Sequence, residues 1–283
     1  MQIYTETAPL RAKLAERRAQ KERIGLVPTM GALHDGHRAL LSRSLRDNDH
    51  TVCSIYVNPT QFNNPDDLER YPRPLEEDAA LLRELGCDSL FCPTDAVMYP
   101  SGLADTVRVH VGALEHRLEG AHRPGHFSGV GAVVSKLFHV VQPDRAYFGQ
   151  KDLQQFAVVR QLVQDLLFPI RLVRVDSVRT PEGLALSSRN RLLSSEQQQV
   201  ALHLYQALVL ARTALQEGAT ADYARQTAVT HIAQAPELRL EYLEVVDAHT
   251  FAPVAESPLR RPTAVCVAAY VGEVRLIDNV LIE

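Results

Sequence analysis

The sequence predicts an α/β protein, a doubly wound parallel sheet followed by a second, smaller α+β domain. Two observations predict the first part. Short apolar runs recur at residues 24–27, 51–57, 88–92, 146–148 and 170–175, most of them bounded by Pro, Gly or Asp, and each reads as a buried strand. Segments with helical periodicity separate them, and strands joined through helices pair in parallel. The third observation is a change of texture after Asp176, where a polar basic loop leads into two helical patterns and three further strand patterns. These features divide the chain into residues 1–176 and 177–283.

Composition narrows the function. The 283 residues are enough for two ordinary domains, each with its own core. The net charge of −4 argues against broad binding to nucleic acid or to anionic membranes, which need a basic surface. Affinity for a nucleotide phosphate must then come from a local cluster. Cys53, Cys87, Cys92 and Cys266 form no C-x-x-C pair, and three of them sit in apolar runs. They are expected as buried free thiols of a reducing cytoplasm. The N-terminal stretch lacks the apolar centre of a signal peptide, and no apolar run approaches the length that spans a bilayer.

Taken in order, residues 1–23 give a strand-like start and an amphipathic helix. Residues 24–37, IGLVPTMGALHDGH, give a buried strand, a glycine turn and the start of a helix with Leu40, Leu41 and Leu45 on one face. That geometry puts phosphate at a helix N-terminus, where unpaired N–H groups and the helix dipole favour negative charge. His34 and His37 are three residues apart and share a helix face, so both imidazoles can reach one phosphate. The second strand ends in Asn58-Pro59-Thr60-Gln61-Phe62, a polar loop at the strand end where open α/β sheets bind ligands. Residues 76–85 form a helix with Leu75, Ala79, Leu82 and Leu85 inward, and its Glu77 and Asp78 read as a solvated face. Residues 93–125 are loop-rich, the character of a lid.

Residues 128–141 then form an apolar helix, and a second strand–glycine–helix unit follows at Gly149-Gln150-Lys151-Asp152, opening a helix over 152–166. Lys151 is placed there as a phosphate-binding cation. Beyond the boundary, Leu186-Ser187-Ser188-Arg189-Asn190 is a polar basic loop, and Ser194 with Gln197 forms a capping box for a helix over 195–216. A helix over 221–233 and strands over 238–246, 263–271 and 274–277 complete the chain.

The motifs PTMGALHDGH at 28–37, SIYVNPTQF at 54–62, DLERYPR at 67–73, RPGHFSGV at 123–130, VSKLFHVVQPD at 134–144, YFGQKDLQQ at 147–155, GLALSSRNRLL at 183–193 and RLIDN at 275–279 stand in this order. Together they resemble the pantothenate synthetases (pantoate–β-alanine ligases), a branch of the His-x-Gly-His nucleotidyltransferases. The resemblance implies a Rossmann-like first domain and a second domain that carries the phosphate loop. It implies an ATP-dependent ligation of pantoate and β-alanine through an acyl adenylate, with Mg²⁺ accompanying ATP, in a cytoplasmic homodimer. The reading it competes with is another adenylyltransferase of the same fold, acting on a phosphorylated acceptor. The neutral amides of the 58–64 loop, NPTQFNN, suit a small hydroxy acid better than such an acceptor.

The resemblance also implies roles. Met30, Gly31, Ala32, Leu33, His34, Asp35, Gly36 and His37 would line the ATP site, with His34 and His37 on the phosphates and His37 as proton donor. Gly149, Gln150, Lys151 and Asp152 would complete it, Lys151 stabilising the α-phosphate and Gly149 and Asp152 facing the ribose and adenine side. Val178 and Leu186 would lie near adenine, and Ser187, Ser188 and Arg189 would hold the leaving pyrophosphate. Gln61 and Gln155 would be the amides that hold pantoate, with Gln61 also beside β-alanine and Asn58 nearby. His126 and Arg123 would shape the lid. Glu77 and Asp78 align with an acidic pair that could assist the metal, but such a pair is more often a solvated face, so no side chain is assigned to a metal. One departure is Pro74, where family members usually carry Thr, and it touches a helix entry rather than the chemistry.

Overall fold

The computed structural model describes residues 1–254 and 261–282. Two compact units emerge, one formed by Met1–Gly149 with Gln154–Val175, the other by Gln150–Leu153 with Asp176–Glu283.

The first unit runs β1 (Gln2–Tyr4), α1 (Thr7–Ala19), β2 (Ile24–Thr29), α2 (Asp35–Asp47), β3 (His50–Ile55), α3 (Pro65–Arg70), α4 (Leu75–Glu84), β4 (Ser89–Phe91), α5 (Asp95–Met98), α6 (Leu118–His122), α7 (His126–Val141), β5 (Arg145–Gly149), α8 (Leu153–Asp165) and β6 (Arg171–Val175). All six strands pair in parallel, in the order β1-β4-β3-β2-β5-β6. The chain builds outward from β2 to one edge and then restarts at β5 on the other side. Ligands of doubly wound sheets bind beyond the strand ends at that reversal. Strand alternation divides the buried residues between the two faces. Val27, Cys53, Leu90 and Tyr147 pack with Leu40 and Leu41 of α2 and Ala79 and Leu82 of α4. Most of α7 is buried, including Val130, Val134, Leu137 and Phe138, and it packs against α1 and β2. Each such side chain contributes on the order of 1.5–3 kcal/mol on burial, as an upper bound.

In the second unit, β7 (Leu238–Asp247), β8 (Thr263–Val271) and β9 (Val274–Ile282) form an antiparallel sheet in that order. Helices α9 (Ser195–Gln216) and α10 (Ala221–Ile232) cover it. Leu204, Ala207, Leu208 and Ala211 of α9 share a core with Val265, Val267 and Ala269, alternate residues of β8. The capping box at α9 is present: the Ser194 hydroxyl accepts from the Gln197 N–H, and the Gln197 side chain accepts from the Ser194 N–H.

Several expectations need correction. Residues 93–125 are loop-rich as expected, but they also hold α5, the 3₁₀ turn Gly112–His116 and α6. Leu75 is 46% exposed at the first turn of α4 rather than inward. The helix expected over 152–166 begins at Leu153, after a 3₁₀ turn over Gln150–Asp152. β2 continues through Pro28 to Thr29, because Pro28 lies past the last residue that pairs with β5, where a missing N–H is tolerated. β9 runs to Ile282 rather than 277, with Asp278 and Asn279 buried inside it.

Candidate active site

In the first unit the site is built on the turn between β2 and α2. Ala32 has φ +50°, a left-handed conformation that a residue with a Cβ adopts only when its surroundings impose it. The imposing group is Asp78 of α4, 3% exposed, whose two carboxylate oxygens accept the N–H groups of Ala32 and Leu33, each at 2.8 Å. Asp78 is therefore not part of a solvated helix face. It pins the turn that carries the histidines.

His34 is the N-cap residue of α2. Its ring folds back so that Nδ1 accepts from the Gly36 N–H at 3.1 Å, and a Cβ on residue 36 would come within 2.8 Å of that ring. His37 Nδ1 accepts from the His34 N–H at 3.3 Å, and the ring centroids lie 4.2 Å apart. The arrangement is a capping box with imidazoles in place of the usual hydroxyl and carboxylate. It also fixes the tautomers. With Nδ1 accepting on both rings, the neutral imidazoles carry their protons on Nε2, as donors suited to phosphate oxygen. Met30, Gly31, Leu33 and Asp35 belong to the same turn and helix start.

Gln61 is 7% exposed and closes the 3₁₀ turn Pro59–Gln61. Asn58 organises that turn: its Nδ2 donates to Gln61 Oε1 at 3.1 Å and to the Gly129 carbonyl at 3.2 Å. Its Oδ1 accepts from the Tyr99 hydroxyl at 2.6 Å and the Thr60 hydroxyl at 3.0 Å. The Lys136 ammonium sits 3.8 Å over the Tyr99 ring and donates to the Met98 carbonyl, and burial holds its pKa below the usual lysine value. Gln61 Nε2 lies 2.9 Å from Met30 Sδ, linking this turn to the histidine turn.

His126, at the start of α7, holds the Gln61 backbone, with Nδ1 2.8 Å from the Gln61 carbonyl and Nε2 3.3 Å from Arg123 Nη1. The guanidinium can only donate, so Nε2 accepts and Nδ1 carries the proton. Gln155 is half-buried on α8. Its neighbour Gln154 is buried and clamps the turn at 114–119, donating to the carbonyls of Leu114 and Arg117 and accepting from the Glu119 N–H. Gly149 ends β5. The cysteines are free, three buried and Cys92 half-buried, and burial pushes the Cys87 and Cys92 thiols up to about 11, so they are poor nucleophiles.

In the second unit Lys151, Leu184, Ser187, Arg189, Tyr205 and Asp278 line one cleft. Lys151 stands in the 3₁₀ turn Gln150–Asp152, with Nζ 3.7 Å from Asp152 Oδ1. Val178 and Leu186 meet backbone to backbone, the Leu186 N–H donating to the Val178 carbonyl at 2.9 Å. The Ser187 hydroxyl accepts from the Arg189 N–H and so caps the short turn Ser188–Leu192. Among the described residues, no group of three or more His, Cys, Asp and Glu could hold a metal ion.

The pantoate-beta-alanine ligase family model matches residues 2–281. The chain belongs to this family. A pantothenate synthetase of Cytophaga hutchinsonii is 47% identical over 279 residues, with 98% of each chain covered. The pantothenate synthetase of Thermus thermophilus superposes with a TM-score of 0.92 at 46% identity, over 99% of both chains. A pantoate-beta-alanine ligase of Francisella tularensis, solved with beta-gamma ATP and β-alanine, gives a TM-score of 0.81 at 33% identity, over 99% of this chain and 97% of that one. As a pantoate–β-alanine ligase, the chain is not favoured as an adenylyltransferase of phosphorylated acceptors.

Sequence reasoning took Asp78 for a solvated face, placed Asn58 near β-alanine and His126 in the lid, and did not single out Gln154. Asp78 stands in the run Leu75-Glu76-Glu77-Asp78, where nothing local separates the buried acid from the exposed ones. The histidine capping box did leave a signal, since a polar residue at a helix start answered three residues later has that spacing.

Proposed function

We propose that this chain ligates (R)-pantoate and β-alanine to pantothenate, using ATP, through a pantoyl adenylate. The observation that carries the reading is the pair His34 and His37 at the start of α2, with Nδ1 of each occupied by a backbone N–H. The pantoate carboxylate is ionised at pH 7 and attacks the α-phosphorus without a general base. The bond to the β-phosphate oxygen breaks and pyrophosphate leaves. Two Nε2–H donors at a helix N-terminus meet the charge that builds on phosphate oxygens in that step, His37 donating its hydrogen bond to the phosphate while keeping its proton. Lys151 meets the α-phosphate, and Ser187, Ser188 and Arg189 hold the departing pyrophosphate. Met30–His37, Gly149–Asp152, Val178 and Leu186 contact the rest of ATP.

Gln61 and Gln155 hold pantoate, each amide able to donate to a carboxylate and accept from a hydroxyl. Gln61 also faces β-alanine, whose amine attacks the acyl carbon, loses a proton and displaces AMP. Neither step needs a covalent enzyme intermediate, in keeping with thiols kept protonated by burial. Mg²⁺ enters as the ATP complex, bound through phosphate oxygens and water rather than by a protein cage. The family resemblance also carries a homodimer and a cytoplasmic location.

Incubation with MgATP, pantoate and β-alanine is expected to yield pantothenate, AMP and pyrophosphate in equal amounts. ADP as the nucleotide product, or ATP cleavage indifferent to pantoate, would contradict the reading.

A further inference from the structure

Two consecutive residues inside β9 hold the backbone of both segments that line the second unit's cleft. Asn279 is 3% exposed, and its Nδ2 donates to the carbonyls of Gln150 at 3.0 Å and Lys151 at 2.9 Å. An amide nitrogen has two protons, so both are used on the turn that carries Lys151. Asp278 is 5% exposed and grips Arg179 bidentately, at 2.5 Å to Nη1 and 2.8 Å to Nη2, while also accepting the Asn279 N–H at 2.8 Å. Arg179 in turn donates to the carbonyls of Gly183 and Asn279 and lies 3.9 Å over the Tyr205 ring. It stands in the hairpin closed by the Thr180–Leu184 and Leu186–Val178 backbone bonds, immediately before Ser187–Arg189.

A buried carboxamide in a strand has a cheaper apolar substitute unless its bonds are needed. Here the bonds fix a lysine whose side chain is only 18% exposed, on a turn of three residues that cannot hold itself by its own helix. The geometry points to Asn279 as a positioning residue for Lys151, with Asp278 and Arg179 setting the neighbouring Ser187–Arg189 loop in register with it. Misplacing a catalytic group by about 1 Å can cost on the order of a hundredfold in rate. Asn279 therefore acts in the step that Lys151 serves, adenylate formation, and not in the attack of β-alanine. The inference rests on the ligase reading.

The test is a double-mutant cycle between Asn279→Ala and Lys151→Ala. Pyrophosphate release from MgATP and pantoate and, separately, aminolysis of the preformed enzyme-bound adenylate would be followed by rapid quench, with thermal melting of each variant. Asn279→Ala is expected to slow pyrophosphate release tenfold or more and to leave aminolysis within about twofold of wild type. It is expected to cost nothing further in the Lys151→Ala background, because coupled residues are not additive. Asn279→Asp is the second variant, nearly isosteric but unable to donate to two carbonyls, and is expected to behave as Asn279→Ala does. An unchanged release rate, an equal loss in both steps, or the same further loss on top of Lys151→Ala would overturn the assignment. Wild-type protein that releases no pyrophosphate in response to pantoate would sink the ligase reading itself.

Discussion

Asp78 shows what a single side chain does for the candidate site. Its two oxygens accept two N–H groups of a backbone turn in which Ala32 is left-handed, so replacing one oxygen by an amide nitrogen sets a donor against a donor. Asp78→Asn should destabilise the protein by about 1–3 kcal/mol, the cost of leaving a buried N–H without its acceptor. It should also slow pyrophosphate release more than that loss of stability alone would, because His34 and His37 follow directly on this turn. Melting temperature beside a single-turnover rate checks both, and a variant of wild-type rate would remove Asp78 from the account. The residues proposed for the chemistry were readable because His-x-Gly-His and Gly-Gln-Lys-Asp are local patterns at strand-to-helix junctions. The contacts that Asp78, Asn58 and His126 make were not, since each acts across a gap in sequence that only the tertiary fold closes.

At the scale of elements, the turn bearing Gln61 is seated directly on α7. A Cβ on Gly129 would stand 2.3 Å from the Thr60 carbonyl oxygen, a distance that backbone cannot absorb without moving. Gly129→Ala should therefore displace the 59–61 turn, raising KM for pantoate severalfold while leaving KM for ATP nearly unchanged. Equal changes in both constants would show that the turn does not serve pantoate alone.

The sheet makes a second prediction. His50, at the start of β3, is 3% exposed with Nε2 2.9 Å from the Ser89 hydroxyl. Burial lowers its pKa below the ordinary 6.5, and Arg17 and Lys13 act in the same direction, against the opposing pull of Asp88 and Glu22. The folded protein thus resists a proton that the unfolded chain accepts. The stabilisation is complete above pH 6.5 and is lost as the pH falls toward the depressed value. Melting temperature should fall over that range less steeply in His50→Gln than in wild type, and equal slopes would exclude His50 as a source. The alternation of strands and helices was legible because each buried strand is a short apolar run. β9 was cut short at 277 because Asp278 and Asn279 break that pattern, their burial made tolerable by Arg179 and the 150–151 carbonyls. The short helices of 93–125 were missed because so few residues show no period.

For the molecule as a whole, each unit has its own core: the strand–turn–helix with His34 and His37 belongs to the first, and Lys151 and the Ser187–Arg189 loop belong to the second. With a net charge of −4, its affinity for ATP must reside in these local groups rather than in a general basic surface. The most direct test is single-turnover pyrophosphate release from MgATP with D-pantoate present and β-alanine absent, for wild type beside His37→Ala. The account predicts a burst close to one per site that requires pantoate and slows by about 10²–10³ in the variant, the scale of losing one preorganised donor to developing charge. A burst that ignores pantoate, or one that His37→Ala leaves intact, would contradict it.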